Sequence, residues 1–175
     1  MSEQKMFSFA CEQETVKVGK TVFGGQPGEN PTVCFGTLFW GKKWGVLDDK
    51  KLAEAKKLVQ TQEKLSEKYC VPALADVYVK EEDAEEKVRF ISKATKKPFA
   101  IDASSPKARI MGLEAAAKLK VLDRLIYNSI NIGITAEELA ALEENTPAAA
   151  ILLAYNPKDL SVDGRLKICL LYTSL

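Results

Sequence analysis

The chain has 175 residues, 46% of them hydrophobic, which is enough apolar material for one domain with a sizeable core. Its 25 Lys and Arg nearly balance 24 Asp and Glu, a formal charge of +1, so there is no basic field to drive phosphate binding and nucleic acid is not an expected partner. The absence of His removes Ser-His and Cys-His nucleophile pairs, His-ligated zinc and His-ligated cobalt or haem, and leaves carboxylates, amides and a borrowed cofactor to carry any chemistry.

The N-terminal MSEQKMFSFACEQ lacks a basic region followed by an apolar core, and no apolar run is long enough to cross a bilayer, so the expected location is the cytoplasm. Cys11, Cys34, Cys70 and Cys169 are far apart and form no CxxC pair, which argues against a zinc motif or a disulfide framework and for reduced, mostly buried thiols. Within Glu14 to Gly24, TVKVGKTVFG reads as two short β-branched runs joined by Gly-Lys, a small hairpin that caps one end of the main sheet. GGQPGENP, Gly24 to Pro31, has neither phosphate-loop spacing nor a strand-then-helix setting, and reads as a tight turn.

TVCFGTLFW, Thr32 to Trp40, is a continuous β-branched and aromatic run, as expected of a strand buried on both faces. A helix from about Lys50 to Tyr69 follows, with Leu52, Ala55, Val59, Leu65 and Tyr69 along one face and a solvated charged face opposite. Val71 to Val79 is the second strand, and the helix from about Asp83 to Ala94 opens with Asp83 and Glu86 in capping-box spacing. PFAID, Pro98 to Asp102, is the third strand; Ser105 and Pro106 supply an N-cap and a first-turn proline for a helix running to about Lys120. Arg124 to Asn128 is the fourth strand, Thr135 and Glu138 form a second capping box at TAEELAALEE, and Ala148 to Asn156 is the fifth strand.

This alternation means βαβ units and a parallel sheet. Two architectures compete, an open doubly wound sheet and the first five strands of a (β/α)₈ TIM barrel. Length favours the open sheet, since a barrel takes about 250 residues. Against this, ICLLYTSL, Ile168 to Leu175, is an apolar run with no turn signal or polar cap, and reads as a truncated or non-native tail.

Four of the five strands end in a hydrogen-bonding side chain: Asp76, Asp102, Asn128 and Asn156. Each alone reads as a helix cap or turn residue, but their repetition at equivalent positions points to one mouth at the carboxyl end of the sheet. Carboxylates accept from paired N–H donors and an Asn both donates and accepts, so the mouth suits a neutral heterocycle with adjacent donors and acceptors, such as a pterin.

At these residues the sequence resembles the tetrahydropterin-binding methyltransferases: the H subunits of tetrahydromethanopterin S-methyltransferases and the related methylcobalamin:tetrahydrofolate methyltransferases. The matching words are GGQPGENPTV with GT two residues further on, ID-x-SS-xx-AR, RLIYNSIN followed by ITAEE, and AAAILLAYNP, dispersed over about Gly24 to Lys167. Ile101 to Asn128 also looks like the pterin-binding segment of dihydropteroate synthases. The resemblance implies the N-terminal part of a dihydropteroate-synthase-like (β/α)₈ barrel: one partial pterin-binding domain, with the hairpin and Gly-rich turn at 14–31 and five strand-helix units at 32–156. It implies a site that holds tetrahydrofolate or tetrahydromethanopterin and passes a methyl group to or from the cobalt of a corrinoid carried by a partner protein, with no metal bound by this chain. Asp102 and Asn128 match the family's ring-gripping Asp and Asn, Asp76 matches its second-strand acidic position, and Asn131 and Asn156 are further candidates. A corrinoid protein, and either a second copy of the chain or a larger methyltransferase complex, are the partners implied. The segment Gly41 to Asp49 departs from the family's His-containing loop, and strands six to eight are missing, so exposed strand edges and little isolated activity are expected. Dihydropteroate synthesis and non-catalytic docking of a corrinoid protein are the alternative readings.

Overall fold

A computed structural model describes residues 8–172. A two-stranded antiparallel hairpin, β1 (Thr15–Val18) and β2 (Thr21–Gly24), precedes a five-stranded parallel sheet of β3 (Cys34–Leu38), β4 (Ala73–Tyr78), β5 (Phe99–Asp102), β6 (Leu125–Ile130) and β7 (Ala149–Leu152). Between the sheet strands run α1 (Asp49–Tyr69), α2 (Ala84–Ala94), α3 (Pro106–Lys118) and α4 (Ala136–Glu144); α5 (Val162–Tyr172) follows β7.

The sheet order is β3-β4-β5-β6-β7, every neighbouring pair parallel and in chain order. A doubly wound sheet reverses its order at a switch point and carries helices on both faces; consecutive right-handed crossovers in one direction place the helices on one face only. This is the order of consecutive units in a (β/α)₈ barrel, so the structure decides between the two architectures left open above.

Side-chain alternation divides the sheet into an outer and an inner face. Outward, Ala75, Val77, Phe99, Ile101, Leu125 and Tyr127 pack with Ala55 and Val59 of α1, Val88 and Ile91 of α2 and Leu113 and Ala116 of α3, forming the larger core. Inward, Leu74, Ala100 and Ile126 make a smaller apolar floor, covered by Val18 and Phe23 of the hairpin. Gly19, at the hairpin turn with φ +57°, lies against Pro98 at the amino end of β5. The hairpin therefore caps the amino end of the sheet, as the sequence predicts.

Local chemistry accounts for most of the helix boundaries. Ser105 Oγ accepts from Ala108 N at 3.1 Å with Pro106 in the first turn, and Asp48 and Thr135 cap α1 and α4 in the same way. The capping box predicted at Asp83 does not form. Asp83 instead accepts from Lys80 N at 2.8 Å and pairs with the buried Lys87 at 2.8 Å, a partner that outcompetes the helix amides. At α4 only half of the predicted box exists, because Glu138 turns inward instead of back to Thr135.

Three expectations about burial are corrected. β3 is not covered on both faces: it is an edge strand, with Cys34 and Phe35 exposed. Leu65 and Tyr69, placed by periodicity on the buried face of α1, are exposed beside that edge, so only Ala55 and Val59 of the predicted stripe are fully buried. The four cysteines are free and exposed, not buried; Cys34 lies on the edge strand and Cys70 is the left-handed cap of α1. Of the C-terminal stretch from Ile168, the part to Tyr172 is the second half of α5, with Ile168 2% exposed, and 173–175 lie outside the described residues. No helix among the described residues is long and apolar enough to cross a membrane.

Candidate functional site

On the inner face, level with the top of the apolar floor and one step above it, polar groups of four strands come together. Register pairs Thr37 of β3 with Asp76 of β4, and Asp102 of β5 with Asn128 of β6. Thr37 Oγ1 donates to Asp76 Oδ2 at 3.1 Å, and Asn128 Nδ2 donates to Asp76 Oδ1 at 3.4 Å. Asp76 reaches Asn128 across β5 because the residue opposite Asp76 on that strand is Ala100, whose methyl leaves the space open. The result is a row of hydroxyl, carboxylate, carboxylate and amide at the carboxyl ends of four adjacent strands.

Asp76 is 5% exposed and Asp102 half-buried. Burial pushes the Asp76 carboxyl above the usual carboxylate range, opposed by the hydrogen bonds from Asn128 and Thr37. Burial also raises Asp102, and the Asp76 charge beside it adds to the rise; the Ala103 amide and the charge of Arg109 act against it. Two neighbouring carboxylates with no salt bridge to either among the described residues accept hydrogen bonds readily and resist a further anion. Such a pair suits a neutral ligand that presents N–H groups.

The shape of β6 adds to the site. The β6–β7 register shifts between Asn128 and Ile130, and Ile130 packs against the helix-side core instead of the inner face. A shift of this kind re-aims side chains at the end of a strand, here turning Ile130 to the helix side while Asn128, opposite Ile151, stays on the inner face. At the rim, Tyr78 OH and Ser104 Oγ are 2.7 Å apart, and the exposed Trp40 meets the Tyr78 ring edge-on with centroids 4.6 Å apart.

Of the five residues singled out in the sequence, the structure brings Asp76, Asp102 and Asn128 together. It places the other two in turns: Asn131 Oδ1 accepts from Gly133 N at 2.8 Å, and Asn156 Oδ1 accepts from Lys158 N at 3.0 Å, four residues beyond the end of β7. Thr37 is a member of the row that strand-end reasoning misses. Parity along CFGTL, read against ALAD, is the signal that would find it, because register places Thr37 and Asp76 on one face. Among the described residues no group of three or more Cys, Asp or Glu side chains converges as a metal ion would require.

The sequence model of the family described as tetrahydromethanopterin S-methyltransferase MtrH subunit matches residues 11–172. The chain belongs to this family. Among curated proteins it is 40% identical over 171 residues to the H subunit of tetrahydromethanopterin S-methyltransferase from Methanothermobacter thermautotrophicus, covering 93% of this chain and 54% of that protein. It is 35% identical over 169 residues to the protein of the same name in Methanosarcina mazei, and 34% identical over 170 residues to the H subunit of the putative methyltransferase mtx of Methanosarcina barkeri, with the same 93% and 54% coverage in both. The chain spans about half the length of the curated relatives it matches.

The MtrH match includes the whole polar row and also the Gly-rich word, whose part is now visible. Gly24, Gly25 and Gly28 have φ of +82°, +84° and +82°, and a Cβ on Gly24 would lie 2.5 Å from Glu14 O, so the turn requires glycine there. Gln26 ties the turn to the preceding segment, accepting from Phe9 N at 2.9 Å and donating to Cys11 O at 2.8 Å. The predicted tight turn is present, and it anchors the segment around Phe9 and Cys11.

Proposed function

We propose that the chain forms the ring-binding half of a methyltransferase mouth, in which Asp76, Asp102 and Asn128 hold a tetrahydropterin, foremost tetrahydromethanopterin, for methyl transfer with a corrinoid carried by a partner protein. The observation that carries this reading is the convergence of those three side chains in one row, in a chain whose relatives are named for tetrahydromethanopterin.

The donor set fits the ring. A reduced pterin presents adjacent N–H donors and ring acceptors along one edge; Asp102 is positioned to accept from the donors, and Asn128, whose Nδ2 is engaged by Asp76, keeps its Oδ1 as an acceptor. The Thr37–Asp76–Asn128 bonds fix the amide before ligand arrives, so less freedom is lost on binding. The inner floor of Leu74, Ala100 and Ile126 excludes water from below. The chain contains no His and no cobalt ligand of that kind, which suits a corrinoid that comes as cargo on another protein. When docked, the corrinoid supplies the cobalt that gives or takes the methyl group; the residues here orient the ring and manage charge at its nitrogen. The remaining part of a full-length family member completes the mouth.

Calorimetric titration of the chain with tetrahydromethanopterin and with tetrahydrofolate tests the reading. Binding is expected for the wild type, with affinity lowered roughly 10- to 100-fold in Asp102→Ala, the loss of one or two hydrogen bonds to a charged acceptor. Equal affinity in Asp102→Ala would overturn the assignment. Condensation of a pterin diphosphate with p-aminobenzoate would replace it by the synthase reading, and corrinoid-protein binding without pterin binding by the docking reading.

A further inference from the structure

Behind the sheet lies a buried polar cluster that ring binding leaves unused. Arg109 of α3 is 5% exposed, and Glu138 of α4 and Tyr127 of β6 are fully buried. Arg109 Nε and Nη2 donate to Glu138 Oε1 and Oε2 at 2.5 and 3.1 Å, and the Tyr127 hydroxyl donates to Glu138 Oε1. Burial pushes the Tyr127 phenol up, with the Glu138 bond and charge adding to it, so the phenol remains a donor. The third arm of the guanidinium, Nη1, donates to the backbone carbonyl of Ala103 at 2.8 Å.

Two adjacencies give the cluster its meaning. Ala103 directly follows Asp102, and Tyr127 directly precedes Asn128. One rigid fork therefore touches the strand end that carries the carboxylate and, through Glu138, the strand that carries the amide. A buried ion pair is a weak source of stability, since apolar residues of similar volume commonly do as well or better, so its use here is geometric. The planar guanidinium suits that use because its donors keep fixed mutual angles, which a lysine would not. The Arg109 charge also reaches Asp102 through the sheet and favours its ionised form.

We propose that Arg109 is a positioning residue for the Asp102–Asn128 pair: held by Glu138 and Tyr127, it fixes the Asp102–Ala103 strand end from the outer face and ties its aim to that of β6. The consequence for ligand affinity rests on the pterin reading; the consequence for Asp102 itself does not.

The test replaces the whole cluster by apolar groups, Arg109→Met with Glu138→Leu and Tyr127→Phe, so that no charge or hydroxyl is left orphaned in the core. Two readouts follow in the 175-residue chain. The first is ligand-free: the carboxyl carbon shift of Asp102 is titrated by NMR, where the ionisable neighbours are Asp76 on β4, Arg109 on α3, Glu138 on α4 and Tyr127 on β6. Its midpoint is expected to rise in the triple variant, and the Ala103 amide resonance to move. The second is calorimetry with tetrahydromethanopterin, where affinity is expected to fall roughly tenfold, about one well-placed hydrogen bond to a charged group, at unchanged far-UV circular dichroism. An unmoved Asp102 midpoint with an unmoved Ala103 amide in the folded variant would overturn the inference, whatever the ligand result. Equal affinity of wild type and variant, with the wild type binding, would also sink it while leaving the pterin reading intact. No binding by the wild type would remove the pterin reading and leave the NMR result to decide. Should the triple variant fail to fold, Arg109→Lys, which keeps the charge and loses the fork, takes its place: a moved Ala103 amide supports the inference and an unmoved one refutes it.

Discussion

Replacing Asp76 by Asn is expected to stabilise the chain at neutral pH. The Asp76 carboxylate is 5% exposed, receives one hydrogen bond from Thr37 and one from Asn128, both neutral, and has no basic partner among the described residues. Each charge-assisted bond contributes about 1.5–3 kcal/mol, whereas burying an ion without a counter-charge costs several kcal/mol, and the balance appears as a carboxyl pushed up from its ordinary value of 3.8. An Asn at 76 keeps both bonds, its Oδ1 accepting from Asn128 and its amide donating to the Thr37 hydroxyl oxygen, and removes the charge. A gain of about 1–2 kcal/mol at pH 7 follows, within the range usual for relieving a strained functional position. For a chain of this size that is roughly 2–8 °C in Tm. The pH dependence has a definite sign. The Asp76 carboxyl binds its proton more tightly folded than unfolded, so the stability it contributes is fully present below the unfolded value and is lost as pH rises through the folded one. Asp102 is raised as well and acts in the same direction. Relative to the Asn variant, the wild type should therefore lose stability as pH rises from about 4, the unfolded carboxylate value; Asp102 acts in that direction in both proteins, while Glu81, Glu137 and Asp159, whose carboxyls are held down by hydrogen bonds, act in the opposite one in both. Urea unfolding followed by circular dichroism from pH 4 to 8 measures both. An Asn variant less stable than wild type at pH 7, or one with the wild-type pH slope, would refute the reasoning.

Two further substitutions probe the frame beneath the row. Val18→Ala removes two methyl groups from a side chain 1% exposed on the inner floor and should cost about 2 kcal/mol in urea unfolding, transfer and cavity effects combined; no loss would mean that the hairpin does not cap the sheet. Gly112→Val should cost about 1–3 kcal/mol, because a Cβ on Gly112 already lies 3.1 Å from Ile101 Cδ1 and 3.5 Å from Val79 Cγ2, and a branched side chain drives α3 off β4 and β5. Thermal unfolding reads that loss, and a variant at wild-type stability would show that α3 can move away freely.

The strand-helix rhythm was legible because buried parallel strands read as unbroken apolar runs and because Ser105 and Thr135 carry cap chemistry in their own side chains. Strand order was not legible, since a run such as VPALADVYV is apolar whichever neighbours flank it. The same blindness explains β3, Leu65 and Tyr69: apolar residues mark surfaces that favour cover, and only the three-dimensional order shows whether a described neighbour supplies it. Asp102 and Asn128 are legible because each closes a short apolar run at a strand's carboxyl end. Asn156 reads as a strand end because AAAILLAY before it is an unbroken apolar run, but the last ladder bond of β7 is Leu153 N to Ile130 O at 2.8 Å, and the chain then turns. Arg109 and Glu138 were hidden by type, since charged residues at helix starts are ordinarily solvated or capping, and nothing in their spacing announces that each buries against the other.

The row that holds the carboxylates and amide lies chiefly on β4, β5 and β6, each hydrogen-bonded on both sides, while Thr37 alone stands on an edge strand and β7 forms the opposite border. In a sheet that opens from its borders inward, fraying of β3 or β7 would part Cys34 from Ala73 or Leu152 from Ile130 long before it disturbed the distance between Asp102 and Asn128. The geometry of the row is thereby insulated from whatever is laid against those borders. The polar row and the two borders can change independently, as a lens can be remounted in a different frame without being reground.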